Sequence, residues 1–259
     1  MKSWRSFRVL AALVLPALLA AADDAPAKPP RVFLIGGSTM STFDPPNPMR
    51  GWGQAFGLCF TDPAMVQNRA ASGRSSKSFI DEGRWAAVLA EMSIGDYLVI
   101  QFGGGNDGKK EDPKRYTEPR GAYRANLERI VRETRAKGAH PLLATMGAKR
   151  EWDAAGRFVD PLSEWVEVTR GTARALDVPL LDLRARTVEL ETNLGPAGSA
   201  ALRLHLPPGQ SANYRNGARD DTHFSEYGAT RVAALAAEEL RRLGVPLARW
   251  LIDKSRSDN

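Results

Sequence analysis

The sequence predicts an α/β fold: a three-layer α/β/α domain around a central parallel sheet of about five strands. Short, almost wholly apolar runs alternate with longer amphipathic segments from residue 31 to residue 243. That alternation is the mark of a parallel sheet with helices on both faces. The clearest runs, Val32-Phe33-Leu34-Ile35 and Tyr97-Leu98-Val99-Ile100, are apolar at every position rather than every second one. Strands covered on both faces read this way. Both run into glycine, Gly36-Gly37 and Gly103-Gly104-Gly105, and ligands of open α/β sheets bind beyond the carboxyl ends of the strands.

The elements follow in order. Residues 32–35 are the first strand, and the Gly36-Gly37 turn presents Ser38 at its carboxyl end. A proline-rich loop spans 42–50, and Gly51-Trp52-Gly53 opens a short helix to about residue 60. Residues 64–68 are the second strand, followed by a small, polar loop from Ala70 to Ser76. A helix is expected over 84–92 and the third strand over 97–102. Charge and two prolines make 109–120 a loop. Leu127, Ile130 and Val131 stripe a helix over 123–137, stopped by Gly138. The fourth strand is 141–145, a loop carries Trp152, and a helix covers 165–176. A short fifth strand at 178–181 leads to a helix over 184–194 and an irregular stretch over 195–221. The last helix, 225–243, has a stripe including Val232, Leu235 and Leu240.

The chain has 259 residues, room for one large domain. Residues 1–22 read as a secretory signal: Lys2, Arg5 and Arg8, then an apolar stretch shorter than a membrane span, then Ala20-Ala21-Ala22. The expected organisation is a signal peptide over 1–22, a flexible leader over 23–30, a single domain over 31–250 and a tail over 251–259. The mature protein is expected in the periplasm or outside the cell, as a monomer, with no stable membrane insertion after signal cleavage. Losing residues 1–22 lowers the formal net charge from +6 to about +3. With no clustered basic helix and no nucleic-acid motif, a nucleic-acid partner is not expected. The mild basicity suits an anionic polysaccharide. The single cysteine, Cys59, sits among apolar residues and reads as a small core residue.

A serine nucleophile needs a base, a group to orient it and donors for the oxyanion. Ser38 is the candidate nucleophile; a turn serine can equally cap the next helix. The base must come from three histidines. His140 begins the fourth strand, at the wrong edge of the sheet. His205 has no acid near it in sequence. His223 follows Asp220 by three residues, close enough for one turn to bring carboxylate and imidazole together. Asp220 and Asp221 can also be read as caps of the last helix. Oxyanion donors are available beyond successive strands: the Ser38 N–H, the Gly73 N–H and the Asn106 side-chain amide. Gly103 to Gly108 spells G-x-G-x-x-G, but Lys109-Lys110-Glu111-Asp112-Pro113 follows instead of the helix a dinucleotide site requires. There is no P-loop, zinc spacing or G-x-S-x-G elbow.

Four blocks in this order resemble the SGNH (GDSL-like) hydrolases and, more narrowly, their rhamnogalacturonan acetylesterase-like branch. They are Gly36-Gly37-Ser38-Thr39, Asn68 to Ser75, Gly104 to Asp107, and Asp220 to His223. Gly51-Trp52-Gly53 and the surroundings of Arg74 resemble the pectin-esterase branch. The resemblance spans about residues 31–245. It implies a flavodoxin-like version of the three-layer fold and a secreted carbohydrate O-acetylesterase that uses neither metal nor organic cofactor. Ser38, His223 and Asp220 would be catalytic; Ser38, Gly73 and Asn106 would hold the oxyanion. Arg74 and Trp152 would contact an acetylated plant cell-wall polysaccharide or oligosaccharide, with Lys109 and Lys110 as further contacts. Two positions depart from the family pattern. Gly37 stands where the family carries Asp, and Phe102 to Asp107 lacks the usual His and is one residue longer. They leave room for a glycan-binding relative without turnover, or for an esterase or lipase acting on another ester.

Overall fold

The computed structural model describes residues 29–160 and 163–253. The expected signal segment, the leader before residue 29 and the end of the tail lie outside the described residues.

Five strands form one parallel sheet: β1 (Val32–Gly36), β2 (Val66–Asn68), β3 (Tyr97–Gln101), β4 (His140–Ala144) and β5 (Leu180–Leu181), in the order β2-β1-β3-β4-β5. Among the described residues seven α-helices accompany them: α1 (Trp52–Phe56), α2 (Ser76–Asp81), α3 (Arg84–Glu91), α4 (Arg124–Ala136), α5 (Glu164–Ala175), α6 (Leu183–Gly198) and α7 (Glu226–Arg242).

The pleat of β1 explains the layers. Val32 and Leu34 face one core with Trp52 and Phe56 of α1, Leu190 of α6, and Val232 and Leu240 of α7. Phe33 and Ile35 face the other, with Phe79 of α2, Trp85 of α3, Leu127 and Ile130 of α4, and Ala173 of α5. All four β1 side chains are completely buried. An unbroken apolar run is what a strand buried on both faces requires. The expected three-layer α/β/α sandwich is therefore the observed fold.

Three segments differ from the sequence expectation. Strand β2 starts late because Pro63, Ala64 and Met65 form a 3₁₀ turn, with Asp62 accepting from the Ala64 N–H at 2.9 Å. The loop expected over 70–76 ends in a helix, α2, started by a capping box between Ser75 and Ser78. The stretch expected to be irregular contains an antiparallel hairpin, β6 (Arg203–Leu206) with β7 (Ala218–Phe224). Residues 219–223 of strand β7 are all polar, so it carries no alternation to read. At the other end the packed chain runs past residue 250: Leu251 is buried and bridges Phe60, and the Ile252 N–H donates to Cys59 O at 2.9 Å.

The strand order reverses between β1 and β3, which lie side by side with Gly36 opposite Gln101. A crevice opens at such a switch point, beyond the carboxyl ends of the two strands. Gly51-Trp52-Gly53 braces the turn that follows β1. The Trp52 N–H donates to Thr39 O at 2.9 Å, and the Trp52 indole donates to the buried Gln101 Oε1 at 2.9 Å. Any Cβ at Gly51 would sit 2.2 Å from Ser41 O, and one at Gly53 2.5 Å from Met40 O. Only glycine lets α1 press this closely on the turn.

Candidate active site

Ser38 occupies a tight turn just past β1. The Met40 N–H donates to Gly37 O at 3.1 Å, the Ser41 N–H to Ser38 O at 3.2 Å, and the Ser41 hydroxyl to Gly37 O at 2.9 Å. The next helix, α1, begins at Trp52 with Gly51 as its cap. Ser38 therefore caps nothing.

Its hydroxyl lies 2.8 Å from His223 Nε2, and His223 Nδ1 lies 2.7 Å from Asp220 Oδ2. A carboxylate only accepts, so this contact puts the imidazole proton on Nδ1 and leaves Nε2 to accept from Ser38. The other carboxylate oxygen, Oδ1, accepts from the Thr222 N–H at 2.8 Å and the His223 N–H at 3.0 Å. The three-residue spacing works because the backbone folds over the carboxylate. Burial pushes the Asp220 carboxyl up, but the N–H groups of His223 and Thr222 and the imidazole outweigh it, leaving it below the ordinary carboxylate value. Neither aspartate caps α7. Ser225 does, accepting from the Gly228 N–H at 3.0 Å.

Arg74 of the second block and Phe102, Gly103, Gly105 and Asn106 beyond β3 contribute to the same crevice, whereas Gly73 is not in its lining. Asn106 Nδ2 donates to Arg74 O at 3.2 Å, which leaves its second amide hydrogen uncommitted. Among the described residues, the backbone N–H groups of Ser38 and Gly73 donate to no protein acceptor. The crevice encloses about 220 Å³ and is lined by Ser38, His223, Asn106, Arg74, Phe102 and Met146, among others. A second cavity of about 210 Å³ shares Thr39, Gly105, Met146 and Thr222 with it.

Asp107 anchors this loop. Its buried carboxylate accepts from the Ser76 N–H (3.0 Å), the Ser76 hydroxyl (2.6 Å), the Gly103 N–H (3.0 Å) and the Thr117 hydroxyl (2.9 Å). Burial pushes this carboxyl up, against those four donors. Gly103 to Gly108 is thus a knot around Asp107, with the Gly108 N–H donating to Gly104 O, and no helix opens there. Sequence reading had Asp107 only as a motif letter. It missed Arg115 altogether, whose Nη1 lies 3.4 Å from both Gly73 O and Asn106 Oδ1. Nothing in its charged, loop-like neighbourhood signals that contact.

Other candidates fall elsewhere. Arg74 lines the crevice, but its guanidinium pairs with Glu82 at 3.0 Å. Trp152 is outside the lining. Its indole donates to Ser199 Oγ at 3.2 Å and its ring packs edge-on against Phe158. Lys109 lines the crevice; Lys110 does not. His140 is at the amino-terminal edge of β4, its ring tilted by 34° against Tyr97 with centroids 4.8 Å apart. His205 does have an acid: the hairpin puts Asp221 Oδ1 2.9 Å from its Nε2, and Arg150 donates to the same oxygen at 2.9 Å. Cys59 is half-buried against the core.

The chain matches the family model for GDSL-like lipase/acylhydrolases over residues 32–236. It is 41% identical to the rhamnogalacturonan acetylesterase RhgT of Bacillus subtilis over 228 residues, 88% of this chain and 96% of that protein. It is 34% identical to the probable rhamnogalacturonan acetylesterase YesY of the same organism, covering 85% of this chain and 97% of that one. The crystal structure of B. subtilis YxiM superposes with a TM-score of 0.69 at 24% identity, over 86% of this chain and 59% of that one. The matched span contains both the switch-point crevice and all four sequence blocks, and this chain belongs to the GDSL-like lipase/acylhydrolase family.

Proposed function

We propose that this protein is an exported carbohydrate O-acetylesterase that removes acetyl groups from a pectic, rhamnogalacturonan-like polysaccharide by a Ser-His-Asp mechanism. The observation that carries the reading is the continuous hydrogen-bond chain from Ser38 through His223 to Asp220, set opposite Asn106 in one crevice. Ser38 Oγ attacks the acetyl carbonyl carbon while His223 Nε2 takes its proton. The oxyanion is received by the N–H groups of Ser38 and Gly73 and by the spare amide hydrogen of Asn106. The tetrahedral intermediate collapses, the sugar oxygen leaves with the proton from His223, and Ser38 carries the acetyl group. Water, deprotonated by His223, then releases acetate.

Asp220 stays ionised and stabilises the imidazolium, a role supported by its lowered pKa. The small crevice suits a short acyl group better than a fatty one. The polysaccharide class rests on the two Bacillus relatives, which are named for rhamnogalacturonan. Export rests on the basic, apolar and small-residue order of residues 1–22.

Initial rates on acetyl, butyryl and octanoyl esters of one alcohol, alongside acetylated rhamnogalacturonan and acetylated xylan, test the reading. The expected order favours acetyl over octanoyl and the pectic polymer over xylan. A preference for octanoyl would replace this reading with a lipase.

A further inference from the structure

We propose that Arg203 is a positioning residue for His223, holding the backbone on both sides of the imidazole. The inference rests on the reading of His223 as the general base. Arg203 opens β6 directly opposite Phe224 of β7. Its guanidinium is almost fully buried and makes four separate attachments. Nη1 donates to Thr222 O at 2.8 Å, and Nη2 donates to Ala148 O at 2.6 Å. Nε donates to Glu191 Oε1 at 3.1 Å. The plane lies over the Phe224 ring, with Cζ 4.6 Å from its centroid.

Thr222 precedes His223 and Phe224 follows it. The Thr222 residue is tied through both of its backbone groups: its N–H donates to Asp220 Oδ1 and its C=O accepts from Arg203. The backbone that carries the imidazole is therefore clamped on one side by a charged fork and on the other by a stacked ring. Through Ala148 and Glu191 the same fork joins the His223 strand to the loop after β4 and to α6.

The pair is a poor device for stability alone. Both charges are out of water, and Glu191 Oε2 is buried with no hydrogen-bond partner among the described residues. Apolar side chains of similar volume commonly serve stability as well as such a pair or better. What apolar side chains cannot do is fix the Thr222 and Ala148 carbonyls by direction. Arg suits this task because its fork reaches several acceptors in one plane.

The test separates holding the fold from holding the imidazole. The full chain is compared with Arg203→Lys, Glu191→Gln and the double apolar variant Arg203→Met/Glu191→Leu. Melting midpoint, kcat and KM on a small acetyl ester are measured for each. So are the imidazole ¹⁵N signals of His223, assigned by difference from a His223→Gln variant. The double variant is expected to melt near the parent, with kcat reduced about 10- to 100-fold at unchanged KM and with displaced His223 signals. Arg203→Lys, the variant safest to fold, is expected to move kcat and the His223 signals the same way. A double variant or Arg203→Lys variant with parental kcat and parental His223 signals would overturn the proposal. A loss of kcat that merely tracks loss of melting midpoint, with His223 signals unmoved, would overturn it too. A parent with no turnover would count against the esterase reading instead, and the His223 signals alone would then decide the role of Arg203.

Discussion

Gly37 leaves open the space into which Asn106 turns its amide. A Cβ at residue 37 would lie 3.1 Å from Asn106 Nδ2 and 3.3 Å from Arg74 O, the two atoms that hydrogen-bond each other across the site. The departure from the family's Asp before the serine and the one-residue-longer loop before Asn106 therefore meet at one point. The amide at the end of that loop lies close to residue 37, and glycine there admits it.

This relationship makes Gly37→Ala a sensitive variant. The added methyl must displace the Asn106 amide or the Arg74 carbonyl by a few tenths of an ångström. Steady-state kinetics on a small acetyl ester is expected to show kcat reduced about tenfold with little change in KM. Gly37→Asp, which restores the family residue, is expected to lose at least as much. An increase in kcat would contradict the geometry.

Arg115 touches Asn106 Oδ1 and Gly73 O from behind the crevice. Its removal leaves Asn106 and Gly73, the two residues proposed to help hold the oxyanion, less constrained while the Ser38–His223 contact remains. Arg115→Ala is expected to lower kcat about 5- to 10-fold and to leave KM and the melting midpoint nearly unchanged. A change confined to KM would instead assign Arg115 to substrate binding.

Asp220→Asn keeps the size of the side chain but offers an amide where His223 Nδ1–H needs an acceptor. With the imidazole then favouring the wrong tautomer, kcat is expected to fall about 10³- to 10⁴-fold. The variant also carries a pH signature. The Asp220 carboxyl lies below its ordinary value in the folded protein, so its ionised form contributes stability above the unfolded pKa. That contribution is lost as pH falls through the lower folded value. The gap in melting midpoint between parent and variant is expected to be widest near neutrality and to close below about pH 4. A gap that widens on acidification would contradict this.

Asp107 accepts from four donors in a buried position. Asn in its place turns an amino group toward at least one of those donors. The cost is expected to be about 2 kcal/mol or more, read as a fall in melting midpoint of roughly 4–8 °C for a domain of this size. Activity is expected to fall further than stability, because Asn106 is the neighbouring residue.

Much of this was written in the chain and some was not, for identifiable reasons. Strands β1 and β3 announce themselves because burial on both faces demands apolar residues throughout. Ser38, Asn106 and His223 could be named because the glycine turns and the three-residue Asp220–His223 spacing are local patterns. Strand β7 could not be read, since residues 219–223 are all polar and it is defined by pairing with β6. The acid partner of His205 was hidden for the same reason: Asp221 is sixteen residues away in sequence and across the hairpin in space. Trp152 looked available to a sugar, but the fold spends its indole on Ser199. Arg74 likewise turns its guanidinium to Glu82 and offers the site its carbonyl instead.

The central claim is that Ser38 forms an acyl-enzyme in the transfer of acetyl from a polysaccharide to water. The most direct measurement is acetate release from acetylated rhamnogalacturonan by the protein and by its Ser38→Ala variant, both checked for a cooperative melt. The account predicts release by the parent and none above background by the folded variant. Equal release by both, or none from a folded parent on any acetylated polysaccharide offered, would contradict it.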